Sequence, residues 1–241
     1  MFSYLFVLLA GLAAGAISGV IGTGSSIILL PILVYTFGPK QAVPIMAVAA
    51  VMANLSRVIA WWKLIDWRAF AAYAVTGMPA AAIGARTLLA LPAHVVDVCL
   101  GLFFIGMIPI RHWLMSHDYR LRLWQLAVCG AVIGFLTGVV LSTGPLSVPA
   151  FTSYGLLKGA FISTEAAGSL MLYISKVLTF GEFGALPWPV FSQGLLVGAS
   201  LMAGTFLGKI VMLKLSERVF QHLLDALLFC SGLSLLFAAA Q

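Results

Sequence analysis

The chain has 241 residues, of which 62% are hydrophobic and 8% are charged, and its mean hydropathy is +1.11. Soluble domains carry about 45–50% apolar and about 25% charged residues, so this composition excludes a water-soluble globule. Glycine and proline are scattered without a period, which excludes a fibrous or low-complexity chain. The composition predicts an all-α polytopic membrane protein, with roughly eight to ten membrane segments at about 20 residues each.

The formal net charge of +6 does not indicate a nucleic-acid-binding protein. The basic residues occur singly among apolar runs and form no stripe that could follow a phosphate backbone. The three cysteines, Cys99, Cys129 and Cys230, stand alone in apolar stretches, so we expect buried structural thiols and no metal centre. The first 21 residues are expected to be a retained segment, because the basic leader of a signal peptide is missing before Lys40.

Ten apolar runs follow one another along the chain, at 1–21, 27–37, 42–62, 69–91, 93–110, 123–141, 145–156, 160–180, 188–208 and 219–240. Runs 27–37 and 145–156 are short. At 1.5 Å per residue they reach about 17–18 Å, whereas the hydrocarbon core is about 30 Å thick. Each short run follows a full-length run, so each pair is predicted to be a helical hairpin that is broken inside the membrane.

The two short runs occupy matching places because the chain repeats itself. The residues that return 119 or 120 positions later are Gly11, Gly15 and Gly19 (as Gly130, Gly134 and Gly138), Thr23-Gly24 (as Thr143-Gly144) and Ser56-Arg57-Val58 (as Ser175-Lys176-Val177). Gly84, Leu91 and Val95 return as Gly208, Leu215 and Val219 at a spacing of 124. A register held over four segments predicts a tandem duplication, with repeats at 1–112 and 123–241 joined by a loop at 113–122.

The orientation of the second repeat depends on the number of segments in each repeat. Five segments make the repeats inverted, whereas counting each short run with its neighbour gives four segments and parallel repeats. The inverted arrangement places nine loop cations on one face: Lys63, Arg68, Arg111, Arg120, Arg122, Lys158, Lys209, Lys214 and Arg218. It leaves Lys40 and Arg86 on the other face, while the parallel arrangement divides the same eleven residues as six and five. The positive-inside rule therefore favours inverted repeats in the cell (inner) membrane, with the connecting loop cytoplasmic and both termini on the outer face.

The two breaks are the strongest candidates for a binding site. They comprise Gly22, Thr23, Gly24, Ser25 and Ser26 in the first repeat, and Ser142, Thr143, Gly144 and Pro145 in the second. Glycine permits a tight reversal, and Ser or Thr supplies caps and hydroxyl donors. A half-helix that begins inside the membrane presents unsatisfied N–H groups and the positive end of its dipole, which together suit an anion. Paired broken helices in inverted repeats are typical of a transporter's substrate site.

Small residues also allow helices to pack closely, and this alternative is favoured for the glycines spaced by four, Gly11, Gly15, Gly19 and their copies. Two cations inside runs leave two interpretations open. Arg57 and Lys176 occupy equivalent positions in the repeats, so they could snorkel to opposite faces or line an anion path. Asn54 and Tyr173, each three residues before one of these cations, share its helical face and could contact the same anion.

Three acidic residues, Asp97, Glu165 and Asp225, also fall inside runs. Structural pairing with a cation is favoured for each, and each is a candidate for carrying a coupling proton. Motifs of zinc proteases, serine hydrolases and phosphate-binding loops are absent from the sequence, so neither a catalytic residue nor a cofactor is expected.

The motif Gly15-Ala-Ile-Ser-Gly19-Val-Ile-Gly-Thr-Gly24-Ser, followed by Leu30-Pro31, resembles the sulfite exporter TauE/SafE family of membrane permeases. The resemblance extends over the second break to Pro149 and covers essentially the whole chain. It implies transport of sulfur-containing or organic anions such as sulfite, sulfoacetate or sulfonates, with the site between the tips of two inverted hairpins. Relatives often carry three glycines at the first break, whereas Thr23 adds a side chain here, and this departure bears on the choice of substrate.

These features predict a secondary transporter for a small organosulfur or sulfur oxyanion, embedded in the lipid bilayer. Hydroxyl and main-chain N–H groups at the breaks (Ser25, Ser26, Thr143 and Gly144) would hold the anion, and Asn54, Arg57, Tyr173 and Lys176 would line its path. Rocking of one repeat against the other would move the site between faces, with proton coupling as one option. Two alternatives remain open: a membrane subunit of an ATP-driven complex, and a passive anion channel.

Overall fold

The apolar runs fold into α-helices that follow the predicted boundaries closely. A computed structural model describes residues 2–21, 25–116, 120–140 and 143–211, together with single positions between 222 and 237. Its helices are α1 (Phe2–Ile21), α2 (Ser25–Phe37), α3 (Pro39–Trp61), α4 (Trp67–Ala90), α5 (Ala93–Ser116), α6 (Leu123–Val140), α7 (Gly144–Tyr154), α8 (Lys158–Glu182) and α9 (Trp188–Val211). No strand occurs within those residues, which confirms the all-α class. Most of the predicted run 219–240 lies outside them.

Helix α5 departs most from its predicted boundary, because it continues to Ser116 beyond the predicted end at 110. The prediction placed the end of the run before Arg111, where a charge leaves the hydrocarbon. Helical hydrogen bonding does not require apolar side chains, so a helix can continue past the membrane edge. Residues 113–116, predicted to belong to the connecting loop, are therefore helical.

The half-length segments form two short helices, as predicted. Helix α2 has 13 residues and α7 has 11, so they are about 20 Å and 17 Å long and cannot cross a hydrocarbon core of about 30 Å. Each begins directly after a break that follows a longer helix, α1 or α6. The first turns of α2 and α7 consequently lie in the interior of the bundle, where Ser26 and Ser147 are buried.

Helices of one half of the chain pack against helices of the other half. Helix α1 packs on α9, α4 packs on α6, and the central helices α3 and α8 contact each other. Helices α3 and α8 are antiparallel, because Arg57 contacts Glu165 whereas the later residue Leu64 contacts the earlier residue Gly159.

Glycines mediate the close approach of the paired helices, as the small-residue alternative predicted. A Cβ atom on Gly134 of α6 would collide with the backbone of Gly77 on α4, and one on Gly15 of α1 would collide with Leu201 on α9. The Thr76 hydroxyl donates across the α4–α6 contact to the main-chain oxygen of Ala127, at 2.6 Å. Close backbone approach, rather than bulky side chains, therefore joins these pairs.

The surface of the bundle suits a bilayer. Among the described residues, three segments are long and apolar enough to cross a membrane, Lys40–Leu64, Leu123–Val140 and Trp188–Phe206. Large exposed indole rings mark helix ends at Trp62, Trp67, Trp113, Trp124 and Trp188. Tryptophan at helix ends is typical of the membrane–water interface.

Candidate functional site

A stripe of polar side chains runs along one face of α8, in the middle of an apolar bundle. Glu165, Ser169, Tyr173 and Lys176 are spaced by four, four and three residues, so they lie one above another on the same helical face. The stripe extends over about 16 Å at 1.5 Å per residue, and it surrounds the midpoint of a helix that runs from residue 158 to 182. We refer to these four residues as the α8 stripe.

At its N-terminal end, the α8 stripe forms an ion pair with the first half of the chain. Arg57 Nη1 on α3 lies 3.5 Å from Glu165 Oε2, and both side chains are buried. Arg57 Nη2 donates to Asn54 Oδ1 at 2.6 Å, and Asn54 Nδ2 donates to the main-chain oxygen of Ala50 at 2.8 Å. Arg57 is therefore held inside the bundle, with 6% of its surface exposed, and does not snorkel to the end of α3.

The Glu165 carboxylate also binds the first turn of the half-helix α7. Its Oε1 atom accepts hydrogen bonds from Ser147 Oγ at 3.0 Å and from Ser169 Oγ at 2.8 Å. The single proton of the Ser147 hydroxyl is shared with a second acceptor, the main-chain oxygen of Gly144, the first residue of α7, at 3.0 Å. An acidic group thus occupies the N-terminal end of a half-helix, where the helix dipole favours negative charge.

The first half-helix also contacts the α8 stripe, through Ser26. Ser25 and Ser26, the first two residues of α2, are buried. A side-chain hydrogen bond joins Ser26 to Tyr173, and the phenol of Tyr173 lies within electrostatic range of Arg57 and Glu165. Both half-helices therefore direct a first-turn hydroxyl at the α8 stripe, Ser147 at Glu165 and Ser26 at Tyr173.

Lys176 is the C-terminal residue of the α8 stripe, and it lies beside the second break, where α6 ends and α7 begins. Its side chain is fully buried, and Nζ donates to the main-chain oxygen of Thr137 in the last turn of α6, at 2.8 Å. The ammonium lies 5.4 Å from the centre of the Phe180 ring. The hydroxyl of Thr137 is hydrogen-bonded to that of Thr143, the residue immediately before α7. Lys176 and Thr143 thus meet where α6 ends and α7 begins.

Tyr73 of α4 is a further candidate that the sequence did not single out. Its side chain is fully buried, its ring lies 4.8 Å from that of Phe151, and it contacts Gly168. The hydroxyl has no hydrogen-bond partner among the described residues, and it lies within electrostatic range of Glu165. A buried hydroxyl without a partner is costly, so its position near the α8 stripe points to a function.

The structure describes only some of the remaining candidate residues. Thr23, Gly24 and Ser142 lie outside the described residues, as does the side chain of Asp97. The carboxylate of Asp225 lies 3.2 Å from His112 Nε2, and its side chain is 24% exposed. The described part of the chain contains no cluster of three or more His, Cys, Asp or Glu side chains that could hold a metal ion.

Ser147, Ser169 and Thr137 were also missed, although two of them had a local signal. Ser147 lies in the first turn after the second break, and Ser169 lies four residues after Glu165, on the same helical face. Thr137 and Tyr73 had no comparable signal, because their roles depend on how α6 and α4 pack against α8.

Comparisons with known proteins agree with this architecture. Residues 7–235 match the profile of the family described as "Sulfite exporter TauE/SafE". The "Probable membrane transporter protein YjnA" of Bacillus subtilis (strain 168) is 23% identical over an alignment of 253 residues, gaps included. The alignment covers 95% of this chain and 98% of that protein. No solved structure matches the chain. The chain therefore belongs to the sulfite exporter TauE/SafE family and is a multi-pass membrane transporter.

Proposed function

We propose that the protein is a secondary-active permease for small organosulfur or sulfur oxyanions such as sulfite, sulfoacetate or sulfonates. The observation that carries the proposal is the convergence of both half-helix N-termini on the α8 stripe. Ser26 is hydrogen-bonded to Tyr173 and Ser147 to Glu165, on the two sides of the midpoint of α8 in sequence. Discontinuous helices that point their N-termini at one place near the bilayer midplane are the usual binding site for anions in secondary transporters.

The donors around the α8 stripe suit an oxyanion. A sulfite or sulfonate group carries three acceptor oxygens and needs several donors from different directions. Hydroxyl groups come from Ser26, Thr143, Ser147 and Tyr173, while Arg57 and Lys176 supply positive charge. The main-chain N–H groups that begin α2 and α7 add donors and a favourable dipole. We propose that this group holds the anion, without a catalytic residue or a cofactor.

The antiparallel packing of the equivalent helices α3 and α8 supports an inverted arrangement of the repeats, and the other helix pairs support their two-fold relation. Positions that correspond at a spacing of 119 or 124 make corresponding contacts: Gly130 lies against Thr76, and its equivalent Gly11 lies against Ser200, the equivalent of Thr76. The contact between Gly134 and Gly77 corresponds in the same way to that between Gly15 and Leu201. We propose that the α1–α9 and α4–α6 pairs move as units and rock about the central helices α3 and α8, exposing the site alternately to each face.

Counterflow of labelled sulfite, sulfoacetate and benzenesulfonate in proteoliposomes tests the proposal. We expect exchange of at least one of these anions and its loss on Thr143→Val, which removes a hydroxyl from the second break. Thr152→Val is the matched control, because Thr152 lies on the same half-helix, is exposed and bonds only within α7. Absence of uptake of all three anions, or full exchange by the Thr143→Val variant, would contradict the proposal.

The same vesicles separate the two alternatives. A passive channel dissipates an anion gradient but cannot concentrate the anion when a proton gradient is imposed. A membrane subunit of an ATP-driven complex would be inactive alone and would co-purify with an ATPase. Exchange by the purified chain, together with gradient-driven accumulation, would exclude both.

A further inference from the structure

Glu165 is an anion that already occupies the proposed anion site. Its two oxygens take the guanidinium of Arg57 and the hydroxyls of Ser147 and Ser169, and its side chain is 3% exposed. These are the same kinds of donor that a sulfonate would require. A substrate anion that binds Arg57 and the first turn of α7 must therefore displace this carboxylate.

The hydroxyl of Tyr73 is a candidate partner for a displaced carboxylate. Tyr73 of α4 packs against Gly168, three residues after Glu165 on α8, and its buried hydroxyl lacks a hydrogen-bond partner among the described residues. A buried polar group that lacks a partner in one state of a two-state protein is readily explained if it gains that partner in the other state.

We propose that Glu165 is a tethered competitor of the substrate: the arriving anion takes its place on Arg57, and Glu165 is protonated and turns to the Tyr73 hydroxyl. One proton enters from the aqueous face to which the site is open and forms the O–H bond of the carboxylic acid. For a monoanion the charge of the site is unchanged, since a carboxylate is neutralised as the substrate charge arrives. This inference rests on the anion transport proposed above and specifies its coupling ion.

The surroundings of Glu165 favour coupling of this kind. The titratable or charged groups that face it from the packed elements are Arg57 on α3, Tyr73 on α4 and Tyr173 on α8 itself. Helix α7 contributes the neutral hydroxyl of Ser147. Arg57 is the described cation that pairs with the Glu165 carboxylate. A substrate that takes Arg57 leaves a buried carboxylate without this counterion, which is costly unless the carboxylate gains a proton.

The test measures binding of benzenesulfonate to the purified full-length protein by calorimetry in two buffers that differ in ionisation enthalpy. Benzenesulfonate keeps its charge near neutral pH, so the difference between the buffers gives the protons taken up by the protein. We expect about one proton per anion in the wild type. In Glu165→Gln we expect none, and affinity about tenfold higher because the competing charge is gone.

Two controls separate the switch from a structural role. Glu182→Gln makes the same substitution in the half-exposed pair with Arg86, and it should bind like the wild type. Glu165→Gln should melt at a lower temperature without anion, because Arg57 loses its counterion, and benzenesulfonate should raise that melting temperature more than it raises the wild type's.

Tyr73→Phe keeps the test decisive if Glu165→Gln folds poorly. Removing an unpartnered hydroxyl should leave the melting temperature unchanged or raise it. Anion affinity should fall about fivefold, because protonated Glu165 loses the Tyr73 hydroxyl as its hydrogen-bond partner. Tyr35→Phe, at a tyrosine that is 94% exposed, is the matched control.

The outcomes distinguish this inference from the function on which it rests. Binding of benzenesulfonate without proton uptake by the wild type would overturn the inference and leave the permease intact, as would unchanged proton uptake in Glu165→Gln. Absence of binding of benzenesulfonate, sulfite and sulfoacetate to both the wild type and Glu165→Gln would overturn both.

Discussion

Lys176 donates a hydrogen bond from Nζ to the main-chain oxygen of Thr137, at 2.8 Å, at the point where α6 ends. Main-chain oxygens in the last turn of a helix lack intrahelical partners, and a cation there is favoured by the helix dipole. No described carboxylate forms an ion pair with Lys176, whereas Arg57 is paired with Glu165. The two repeat-equivalent cations therefore have different surroundings, and Lys176 is the one without a described carboxylate partner.

Lys176→Met is expected to abolish transport without unfolding the protein. The variant loses one charged hydrogen bond, but it also removes an ammonium that is fully buried, and these effects on stability oppose each other. Anion affinity should fall at least about tenfold, because a positive charge that lines the proposed anion path is lost in a medium of low dielectric. Counterflow and thermal melting on the same preparation measure both effects.

Lys63→Met is the control for this prediction, because Lys63 is exposed at a helix end, 5.8 Å from the Trp62 ring. It should transport normally. If Lys176→Met transported at the wild-type rate, Lys176 would be only a cap for α6, and its place in the anion path would be contradicted.

The Arg57–Glu165 pair predicts strong non-additivity in stability. Removing one partner of a buried ion pair typically costs about 3–5 kcal/mol, because the other charge is left without a counterion. Arg57→Gln and Glu165→Gln should each destabilise the protein, and the double variant should be less destabilised than the sum. A double-mutant cycle on the free energy of unfolding should give a coupling energy of about 0.5–3 kcal/mol. A coupling energy of zero would show that the 3.5 Å contact does not persist in the membrane.

Most of the helical order could be predicted from the sequence because each membrane segment must be apolar over a length fixed by the bilayer. Helices α2 and α7 were recognisable for the same reason, since their apolar runs are too short to span. The exception was the end of α5, where the helix continues to Ser116 after the apolar run has ended.

The candidate site could be predicted only in part. Repeated residues and the rarity of charge within apolar runs singled out Arg57, Lys176 and Glu165 before any fold was known. Their partners could not be assigned, because Glu165 is 108 residues from Arg57, and only the antiparallel packing of α3 and α8 brings them together. Tyr73 looked like any other aromatic residue in an apolar run until the packing of α4 placed its hydroxyl near Glu165.

The contact between α4 and α6 predicts that Gly134→Ala is destabilising. The added methyl group would collide with the backbone of Gly77, which cannot move as a flexible side chain could. Overpacking of this kind costs about 1–3 kcal/mol. Gly181→Ala is the matched control, because a Cβ there meets no atom within 4 Å and alanine favours the helix by about 0.5–1 kcal/mol. Equal melting temperatures for the two variants would contradict the packing.

The positions of Arg86 and Lys63 predict the orientation of the chain in the membrane. Arg86 lies 3.6 Å from Glu182 at the end of α8, whereas Leu64, next to Lys63, contacts Gly159 near the beginning of α8. Helix α8 runs from the level of Leu64 to the level of Arg86. Arg86 and Lys63 therefore lie toward opposite faces of the membrane. The positive-inside rule assigns the face of Lys63 to the cytoplasm, since nine of the eleven loop cations are predicted there.

Single cysteines introduced in a cysteine-free background test this assignment. In intact cells an impermeant maleimide should label Arg86→Cys and Lys40→Cys, and it should label Lys63→Cys and Arg122→Cys only after the membrane is permeabilised. Labelling after permeabilisation controls for burial, because all four native side chains are exposed. Labelling of Lys63→Cys in intact cells would reverse the orientation, while labelling of Lys63→Cys and Arg86→Cys from the same side would contradict the crossing of the membrane by α4. In the assigned orientation, the connecting segment that contains Arg120 and Arg122 lies in the cytoplasm. Its positive charges then do not have to cross the membrane during insertion.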